Sequence, residues 1–217
     1  MASYTEENYL KLIYALSARQ PDGVTTNALA EQTNTRAASV SDMLRKLAEK
    51  GLVNYRKYQG VTLTDAGHRQ ALQIVRRHRL WEVFLVEKLG FGWDEVHDMA
   101  EELEHIRADE LTNRLAAFLG NPQFDPHGDP IPAPTGELPP TRYRSLCDVT
   151  IGETVPIMGV LQHSPAFLQH LARAGLVLGC RVKICEISTF DRSLTLAIDN
   201  CPPVFVSADV SQNVLVG

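Results

Sequence analysis

The chain has 217 residues, of which 44% are hydrophobic and 22% charged, an ordinary composition for a soluble globular protein. No apolar run approaches the roughly 18 residues of a membrane span, and the acidic, polar start of the chain does not resemble a signal peptide. We therefore expect a cytoplasmic protein without a membrane partner, long enough for two or three small domains.

Charge is distributed unevenly along the chain, although its overall net charge is only −5. Residues 1–79 contain 12 Lys and Arg against 7 Asp and Glu, a net charge of +5. Residues 80–140 contain 3 against 13, a net charge of −10, and residues 141–217 contain 6 of each. This segregation predicts a polyanionic partner for the basic segment and bound cations in the acidic one.

The first 63 residues show the pattern of three helices and a β-hairpin. Apolar spacing and capping residues predict a helix that includes residues 9–16, another from Thr26 or Asn27 through residue 32, and a third over residues 36–50. The second and third helices are joined by a three-residue turn. Two β-rich stretches then flank a Gln-Gly pair, at residues 52–58 and 61–63, which is typical of a hairpin.

The middle of the chain remains helical until a proline-rich segment. Thr64 can cap a long helix that reaches about residue 89, and shorter helices are predicted over residues 94–105 and 109–119. Residues 120–140 hold seven of the twelve prolines, a density that prevents helix and indicates a connector.

The last third changes to short strands, which are predicted over residues 155–161, 181–187, 194–198 and 204–206, with one helix over residues 166–174. Several short strands within some 70 residues indicate a small barrel. The expected fold class is therefore mainly α with a small all-β domain.

The acidic segment contains a run of metal-ligand side chains at helical spacing: His97, Glu101, Glu104 and His105. Steps of four, three and one residues would place all four on one helix face. His78 and Glu82 form a second pair, four residues apart, in the long helix. Imidazole and carboxylate ligands without a thiolate suit Mn²⁺, Fe²⁺ or Zn²⁺. The alternative is a solvated acidic helix surface.

Two short helices, a tight turn and a β-hairpin are the parts of a winged helix-turn-helix, which binds duplex DNA. The third helix would lie in the major groove and present its first turns to bases and phosphates: Thr35, Arg36, Ala38, Ser39, Ser41 and Asp42. Lys46 adds positive charge farther along the same helix. The hairpin tip adds Arg56, Lys57 and Tyr58, which suit contacts to the phosphate backbone. A helical domain with a solvated basic face is the alternative.

Several segments resemble the diphtheria toxin repressor/manganese transport regulator family. They are Val40-Ser-Asp-Met-Leu-Arg-Lys-Leu, Gly51-Leu-Val, Tyr55-Arg-Lys-Tyr, Arg77-His-Arg-Leu, His97-Asp and Glu104-His. The resemblance covers the whole chain in its three-domain form. It implies a winged helix-turn-helix over residues 1–74, a helical metal-binding and dimerisation domain over 75–141, and an SH3-like (FeoA-like) domain over 142–217.

The resemblance also implies a first metal site, formed by Asn8, Glu101, Glu104 and His105. Members that respond to iron have Cys in place of Glu101, and members that respond to manganese have Glu, a harder ligand. Glu101 therefore places the chain nearer the manganese branch. Asn8 matches neither branch, because it offers an amide oxygen without charge. Lys11 stands where two-domain manganese members have a further Glu ligand, which argues against a closely paired two-ion cluster.

A second metal site is implied by matches to the ancillary ligands of the family. His78, Glu82 and His97 match those of the iron branch. Asp125 and His127 match a Cys-Pro-His-Gly segment of three-domain manganese members, with Asp in place of Cys. His163 lies near the expected place of a further ligand, although an ordinary exposed histidine is an equal alternative.

These expectations describe a regulator of transcription rather than an enzyme. We expect a homodimer that binds a palindromic operator in double-stranded DNA, represses metal-uptake genes, and uses Mn²⁺, or alternatively Fe²⁺, as corepressor. No organic substrate is expected. One alternative is a di-metal carboxylate oxidoreductase, since Glu102-x-x-His105 is one of the two Glu-x-x-His units that such proteins need. Another is a winged-helix regulator with an organic effector.

Overall fold

A computed structural model describes residues 3–56, 59–198 and 202–217. The chain divides into two compact units. Unit 1 comprises Met1–His78, Leu103–Asp109 and Pro132–Glu137, and unit 2 comprises Arg79–Glu102, Glu110–Ile131 and Leu138–Gly217. No helix in the described ranges has both the length and the apolar character of a membrane span. The three-domain boundaries expected from the sequence stay a prediction.

Unit 1 is built on three helices, a two-stranded hairpin and the start of a long fourth helix. Their bounds are α1 Tyr4–Ser17, α2 Thr26–Gln32, α3 Ala37–Glu49, β1 Val53–Arg56, β2 Gly60–Leu63 and α4 Asp65–Leu89. The strands pair antiparallel. The apolar faces of these elements form one core, which includes the fully buried Leu10, Ile13, Leu29, Val40, Leu44, Leu47, Val61 and Ile74.

The ends of these helices differ slightly from the sequence prediction. Thr25, rather than Thr26 or Asn27, caps α2, and its hydroxyl accepts a hydrogen bond from the backbone N–H of Ala28. Thr64 accepts a hydrogen bond from the backbone N–H of Gly67 at the start of α4. Caps of this kind satisfy backbone donors that the first turn leaves unpaired.

Unit 2 combines the helices α5 Val96–Leu103 and α6 Asp109–Phe118 with a β-rich C-terminal part. The predicted helix over residues 94–105 is shorter than expected, because α5 ends at Leu103 and a turn follows it. The prediction that Glu104 and His105 share a helix face with His97 and Glu101 was therefore wrong.

The C-terminal part contains a six-stranded antiparallel sheet in the order β3-β8-β4-β5-β6-β7. The strands are β3 Arg144–Ser145, β4 Thr154–Val160, β5 Arg181–Ile187, β6 Leu194–Ile198, β7 Val204–Val206 and β8 Val214–Val216, with helices α7 Pro165–Arg173 and α8 Ala208–Gln212. Alternate side chains of β5 and β6 are buried, so one face of the sheet packs on a core. The expected fold class, mainly α with a small all-β domain, is confirmed.

Glu6 ties α1 to the end of α3 inside unit 1. Its carboxylate accepts hydrogen bonds from the backbone N–H of Ser3 at 2.7 Å and from Nζ of Lys50 at 2.7 and 2.8 Å. Burial acts to raise the pKa of Glu6, but Lys50 and Ser3 outweigh it and hold the pKa below its usual value of 4.5.

We predict that Glu6→Gln lowers the free energy of unfolding at pH 7 by about 1–2 kcal/mol, because a charged hydrogen bond is lost. Since the pKa of Glu6 is lowered by folding, this contribution is complete above pH 4.5 and disappears as the pH falls through the lowered pKa. Urea unfolding at pH 7 and pH 3 measures both effects. Glu110→Gln, in the exposed Glu110–Arg114 pair, is the control and should change the free energy by less than about 0.5 kcal/mol.

Candidate functional site

The turn between α2 and α3 fixes the start of the helix that was predicted to read DNA. Asn34 adopts a positive φ of 49°, and the backbone N–H of Thr35 donates to the carbonyl of Ala30 at 3.0 Å. The hydroxyl of Thr33 donates to the carbonyl of Leu29 at 2.8 Å and lies 2.7 Å from the Thr35 hydroxyl. These bonds hold the two helices in a fixed relation within unit 1.

One side of α3 is buried in the core of unit 1, and the other is exposed. Exposed residues at and before its first turns include Thr35, Arg36, Ala38, Ser39 and Asp42, whereas Ser41 is half-buried. Lys46, in the last turn, is also exposed. Asp42 forms a salt bridge with Arg45, so its carboxylate is paired rather than isolated. The predicted face of the helix is therefore available to a partner.

The hairpin that follows α3 has the position expected of a wing. Arg56 is exposed at the end of β1 and pairs in register with Gly60. The hydroxyl of Tyr55 lies 3.4 Å from that of Ser41, which connects β1 to α3. Lys57 and Tyr58, two of the predicted DNA contacts, lie outside the described residues.

In unit 1, Glu104 is a fully buried carboxylate surrounded by nitrogen atoms. Its Oε2 accepts a hydrogen bond from Nζ of Lys11 at 2.7 Å and lies 2.6 Å from Nδ1 of His78. Nε of Arg77 donates to the backbone carbonyl of Glu104 at 2.5 Å. Burial acts to raise the pKa of Glu104, but the hydrogen bond with His78 and the charge of Lys11 lower it, so the carboxylate stays ionised.

Glu7 is another buried carboxylate in unit 1, and no role was predicted for its side chain from the sequence. Its Oε2 lies 2.8 Å from Nδ1 of His105, and its Oε1 lies 3.0 Å from Nε of Arg107 and 3.5 Å from a terminal nitrogen of Arg77. Tyr4 stacks on His105 with the ring centroids 4.5 Å apart. The three-residue step from Glu7 to the buried Leu10 would have indicated that Glu7 points inward.

Asn8, the predicted ligand on α1, is exposed. Glu104 and His105, its predicted co-ligands within unit 1, are instead held by Lys11, His78 and Glu7. One donor atom in this cluster remains open, because Oε1 of Glu104 is buried without a hydrogen-bond partner among the described residues.

Unit 2 brings together a different group of potential ligands, from α4 and the proline-rich segment. Glu82, Asp125 and His127 are all buried, and each offers a ligand atom within 4.8 Å of the other two. Two carboxylates and one imidazole at this separation have the geometry and chemistry of a divalent cation site.

A tight turn over residues 125–129 positions two of these ligands. Oδ1 of Asp125 accepts hydrogen bonds from the backbone N–H groups of His127 and Asp129, at 2.8 and 3.0 Å. Gly128 has a φ of +88°, and a Cβ there would overlap the Met158 carbonyl in β4. The proline-rich segment is therefore more than a spacer, since it packs closely against the sheet of unit 2.

His127 is held with one ring nitrogen directed toward Glu82. Its Nε2 lies 2.7 Å from the Trp93 carbonyl oxygen, and because a carbonyl only accepts, Nε2 carries the hydrogen. Nδ1 is buried without a hydrogen-bond partner in the described part of the chain, 3.7 Å from Oε2 of Glu82. An oriented imidazole of this kind is typical of metal ligands.

The acidity of this cluster is strongly changed by its surroundings. Burial, together with the charges of Glu82 and Asp129, raises the pKa of Asp125 to about 7. Burial acts to lower the pKa of His127, but the Glu82 carboxylate outweighs it and raises that pKa to about 9. Arg79, which the sequence analysis did not single out as part of a site, lies 3.5 Å from Asp125 and 3.2 Å from Asp129.

Two further histidines lie beside this cluster. The rings of His163 and His127 stack with centroids 4.7 Å apart, and Nε2 of His163 lies 3.9 Å from Oδ2 of Asp129. Nδ1 of His97 lies 3.5 Å from Oε1 of Glu82, and its Nε2 lies 3.5 Å from Glu101. Within unit 2, the two carboxylate oxygens of Glu82 therefore have different neighbours, since Oε1 lies beside His97 and Oε2 beside His127.

Three family models match successive parts of the chain. Residues 1–61 match the N-terminal DNA-binding domain of iron-dependent repressors. Residues 64–133 match the metal-binding and dimerisation domain of the same repressors, and residues 144–217 match the FeoA domain. The diphtheria toxin repressor of Corynebacterium glutamicum is 30% identical to this chain, over 83% of each protein.

The chain belongs to the iron-dependent repressor family. This membership confirms the resemblance seen in the sequence. Members of this family are metal-dependent, DNA-binding transcriptional repressors and not enzymes. The di-metal oxidoreductase alternative therefore has no support. The predicted small C-terminal domain corresponds to the FeoA domain.

Solved structures in the family include regulators that respond to manganese. A manganese-dependent transcriptional repressor in complex with manganese is 41% identical, with a TM-score of 0.85 over 97% of this chain and 98% of that one. The manganese regulator SloR is 33% identical, with a TM-score of 0.75 over 98% and 97%. Some curated relatives match this chain over only part of their own length. The match covers 55% of IdeR from Mycobacterium tuberculosis and 20% of a probable metal transport system membrane protein from Chlamydia trachomatis.

We predict that Gly128→Ala destabilises the protein by at least about 3 kcal/mol, because the added Cβ would meet the backbone of β4. Gly120→Ala is a matched control, since Gly120 also has a positive φ of +78° but no atom of the described residues lies within 4 Å of a Cβ there. It should cost only the strain of a left-handed backbone, about 1–2 kcal/mol. Thermal unfolding of both variants measures the difference, and equal losses would show that the close approach has no energetic role.

Proposed function

We propose that this protein represses metal-uptake genes in response to Mn²⁺, with Fe²⁺ as the alternative corepressor. The observation that carries this proposal is the buried group of Glu82, Asp125 and His127, whose ligand atoms lie within 4.8 Å of one another. Its DNA partner would be a palindromic operator bound by a homodimer in the cytoplasm.

The buried group suits a divalent cation for two reasons. The Nδ1 atom of His127 has no hydrogen-bond partner among the described residues. A buried nitrogen in this state destabilises the fold unless a hydrogen-bond partner or a metal ion binds it. Glu82 and Asp125 also repel each other, which contributes to the raised pKa of Asp125. When bound, the ion would place positive charge between the two carboxylates and reduce their repulsion.

The chemistry of the donors favours manganese. Carboxylate oxygens and imidazole are hard and intermediate ligands, whereas softer ions prefer thiolates, and Asp125 stands where the Cys-Pro-His-Gly segment of similar proteins has Cys. The manganese-dependent repressor with a bound manganese ion and SloR provide independent support for this choice. His163 and His97 are proposed as neighbouring ligands or orienting groups of the same region.

An amino-terminal metal site is proposed from the ligand set that the sequence predicted: Asn8, Glu101, Glu104 and His105, with His78 beside it. Within unit 1, the open Oε1 atom of Glu104 supports it. Because Asn8 is exposed, its side-chain amide can turn toward a bound metal ion. Within unit 1, Glu104 and His105 contact Lys11 and Glu7 of α1, and α1 packs in the core of that unit.

The proposed DNA interface consists of the exposed face of α3 and the hairpin. A recognition helix presents its N-terminal residues to the major groove, and a wing contacts the phosphate backbone. The exposed Arg36, Ser39 and Lys46 on α3, with Arg56 at the hairpin, provide the donors for this. In a two-fold dimer the two helices would lie about 34 Å apart along the DNA, one helical turn.

A homodimer is supported by apolar side chains on the surface of unit 2. Phe118 at the end of α6 is 67% exposed, Leu89 56% and Leu111 41%. Phe84 on α4 packs against both Phe118 and Trp81. Exposed apolar groups of this size commonly mark protein interfaces. The match to a metal-binding and dimerisation domain covers the same residues.

We predict that Glu82→Gln weakens Mn²⁺ binding at this site by roughly 10–100-fold or more. Loss of a group that only hydrogen-bonds to a metal ligand already has an effect of this size. Titration calorimetry with Mn²⁺ measures the change, and operator binding with and without a chelator gives the functional consequence. Glu110→Gln, which removes an exposed carboxylate in a surface pair, should leave both unchanged. The proposed function would be refuted if Glu82→Gln bound Mn²⁺ as tightly as the wild type. Tight operator binding by the wild-type protein in the presence of a chelator would refute it too.

We predict that Arg56→Ala weakens operator binding and flattens the slope of log affinity against log salt by about one unit, because one phosphate contact is lost. Arg114→Ala removes another exposed arginine, on α6, and serves as the control. Fluorescence anisotropy from about 50 to 300 mM salt measures both slopes. An unchanged slope for Arg56→Ala would place the wing away from the DNA.

A further inference from the structure

The exposed face of α3 carries one carboxylate among several cations. From Thr35 to Lys46 the sequence contains three cations, Arg36, Arg45 and Lys46, and Asp42 is the single carboxylate. A carboxylate on a surface that approaches DNA is repelled by the phosphates. Asp42 therefore opposes binding to the DNA backbone unless a base or a neighbouring cation compensates its charge.

The side chain of Asp42 is placed where it can reach a base. It is 62% exposed, and it shares one helix face with Ala38 and Ser39, four and three residues earlier. Ala38 and Ser39 are exposed and short, so the backbone of α3 can come close to the floor of a groove. Asp42 and Arg45 extend farther from the helix axis than these two residues and would enter the groove first.

Arg45 completes this feature of α3. It forms a salt bridge with Asp42, three residues earlier, and its side chain is 66% exposed. An exposed pair of this kind contributes little to stability, so stability does not explain its place on the helix. The guanidinium has five donors in a planar fork, and those that do not contact Asp42 remain available. The pair thus presents an acceptor beside a set of donors.

This arrangement is complementary to one kind of base pair. In the major groove cytosine presents an amino donor, and the guanine paired with it presents two acceptors, O6 and N7. A carboxylate accepts from the cytosine amino group, and an arginine donates to both guanine atoms. Adenine also has an amino group, but its N7 acceptor lies beside it and repels a carboxylate. Thymine presents an acceptor and a methyl group.

We propose that Asp42 and Arg45 together read one C·G base pair in each half-site of the operator. Asp42 accepts a hydrogen bond from the cytosine amino group, and Arg45 donates to the guanine of the same pair. This inference rests on the proposed function, because it specifies part of the DNA sequence that the regulator binds. It adds Arg45 to the interface and makes Asp42 a determinant of specificity rather than of affinity.

The probe is a pool of DNA duplexes with a randomised central segment, from which the full-length protein with Mn²⁺ selects its sites. The wild type should select cytosine at one position of each half-site. Asp42→Asn should shift the preference at that position toward adenine, because an amide pairs with both N6 and N7 of adenine. An unchanged preference in Asp42→Asn would overturn the inference.

Fluorescence anisotropy then measures the preference with the selected duplex and with a copy that carries A·T in place of the C·G pair. The wild type should bind the C·G duplex more tightly by roughly tenfold or more, the usual cost of one mismatched base pair. Asp42→Asn should lose or reverse this ratio. A wild-type ratio near one would contradict the proposed readout.

Arg45→Lys tests the other member of the pair, because it retains the positive charge but not the planar fork. It should reduce the preference for C·G at the same position and leave the slope of log affinity against log salt unchanged, since no phosphate contact is lost. An equal loss of affinity for both duplexes would make Arg45 a phosphate contact and overturn the shared readout.

Glu49→Gln is the matched control, because Glu49 is also an exposed carboxylate of α3 but is the last residue of the helix. It should select the same sequence as the wild type. A wild-type protein that selects no sequence in the presence of Mn²⁺ would refute the proposed function itself. Selection of an operator whose base preferences are the same in the Asp42 and Arg45 variants would refute only the inference about this pair.

Discussion

The structure depends on how it compensates carboxylates that are buried away from water. An isolated buried carboxylate costs several kcal/mol unless it is paired or coordinates a metal. Glu7 and Glu104 lie buried in unit 1, and Glu82 and Asp125 lie buried in unit 2. The two units meet this cost differently, and the difference bears directly on how the protein would sense a metal.

In unit 1 the compensation comes from the chain itself. Lys11, Arg77 and Arg107 lie within 2.5–3.5 Å of acceptor atoms on Glu7 and Glu104. In unit 2 Arg79 comes no closer than 3.5 Å to Asp125. The repulsion among the carboxylates therefore still contributes to the raised pKa of Asp125. A divalent cation bound among these carboxylates would reduce that repulsion, which couples ion binding to the acidity of the cluster.

Much of the secondary structure could be predicted from local patterns, because the periods of helices and strands and their caps are encoded by neighbouring residues. The bounds of β5, β6 and β7 agree with the prediction. The end of α5 could not be read from the ligand spacing, because side chains three or four residues apart imply a shared helix face only if the helix continues. Short strands such as β3 and β8 were missed, since two or three residues contain too little pattern.

Local composition and spacing were sufficient to establish the winged helix-turn-helix, the segregation of charge and the types of side chain that could hold a metal. Which of these side chains meet, and which are already paired, followed only from the packing of the folded chain. That packing joins Glu82 to Asp125 and His127, more than 40 positions apart, and brings Lys11 to Glu104. Contacts between such distant residues depend on how the helices and the proline-rich segment pack, and no local pattern encodes that packing.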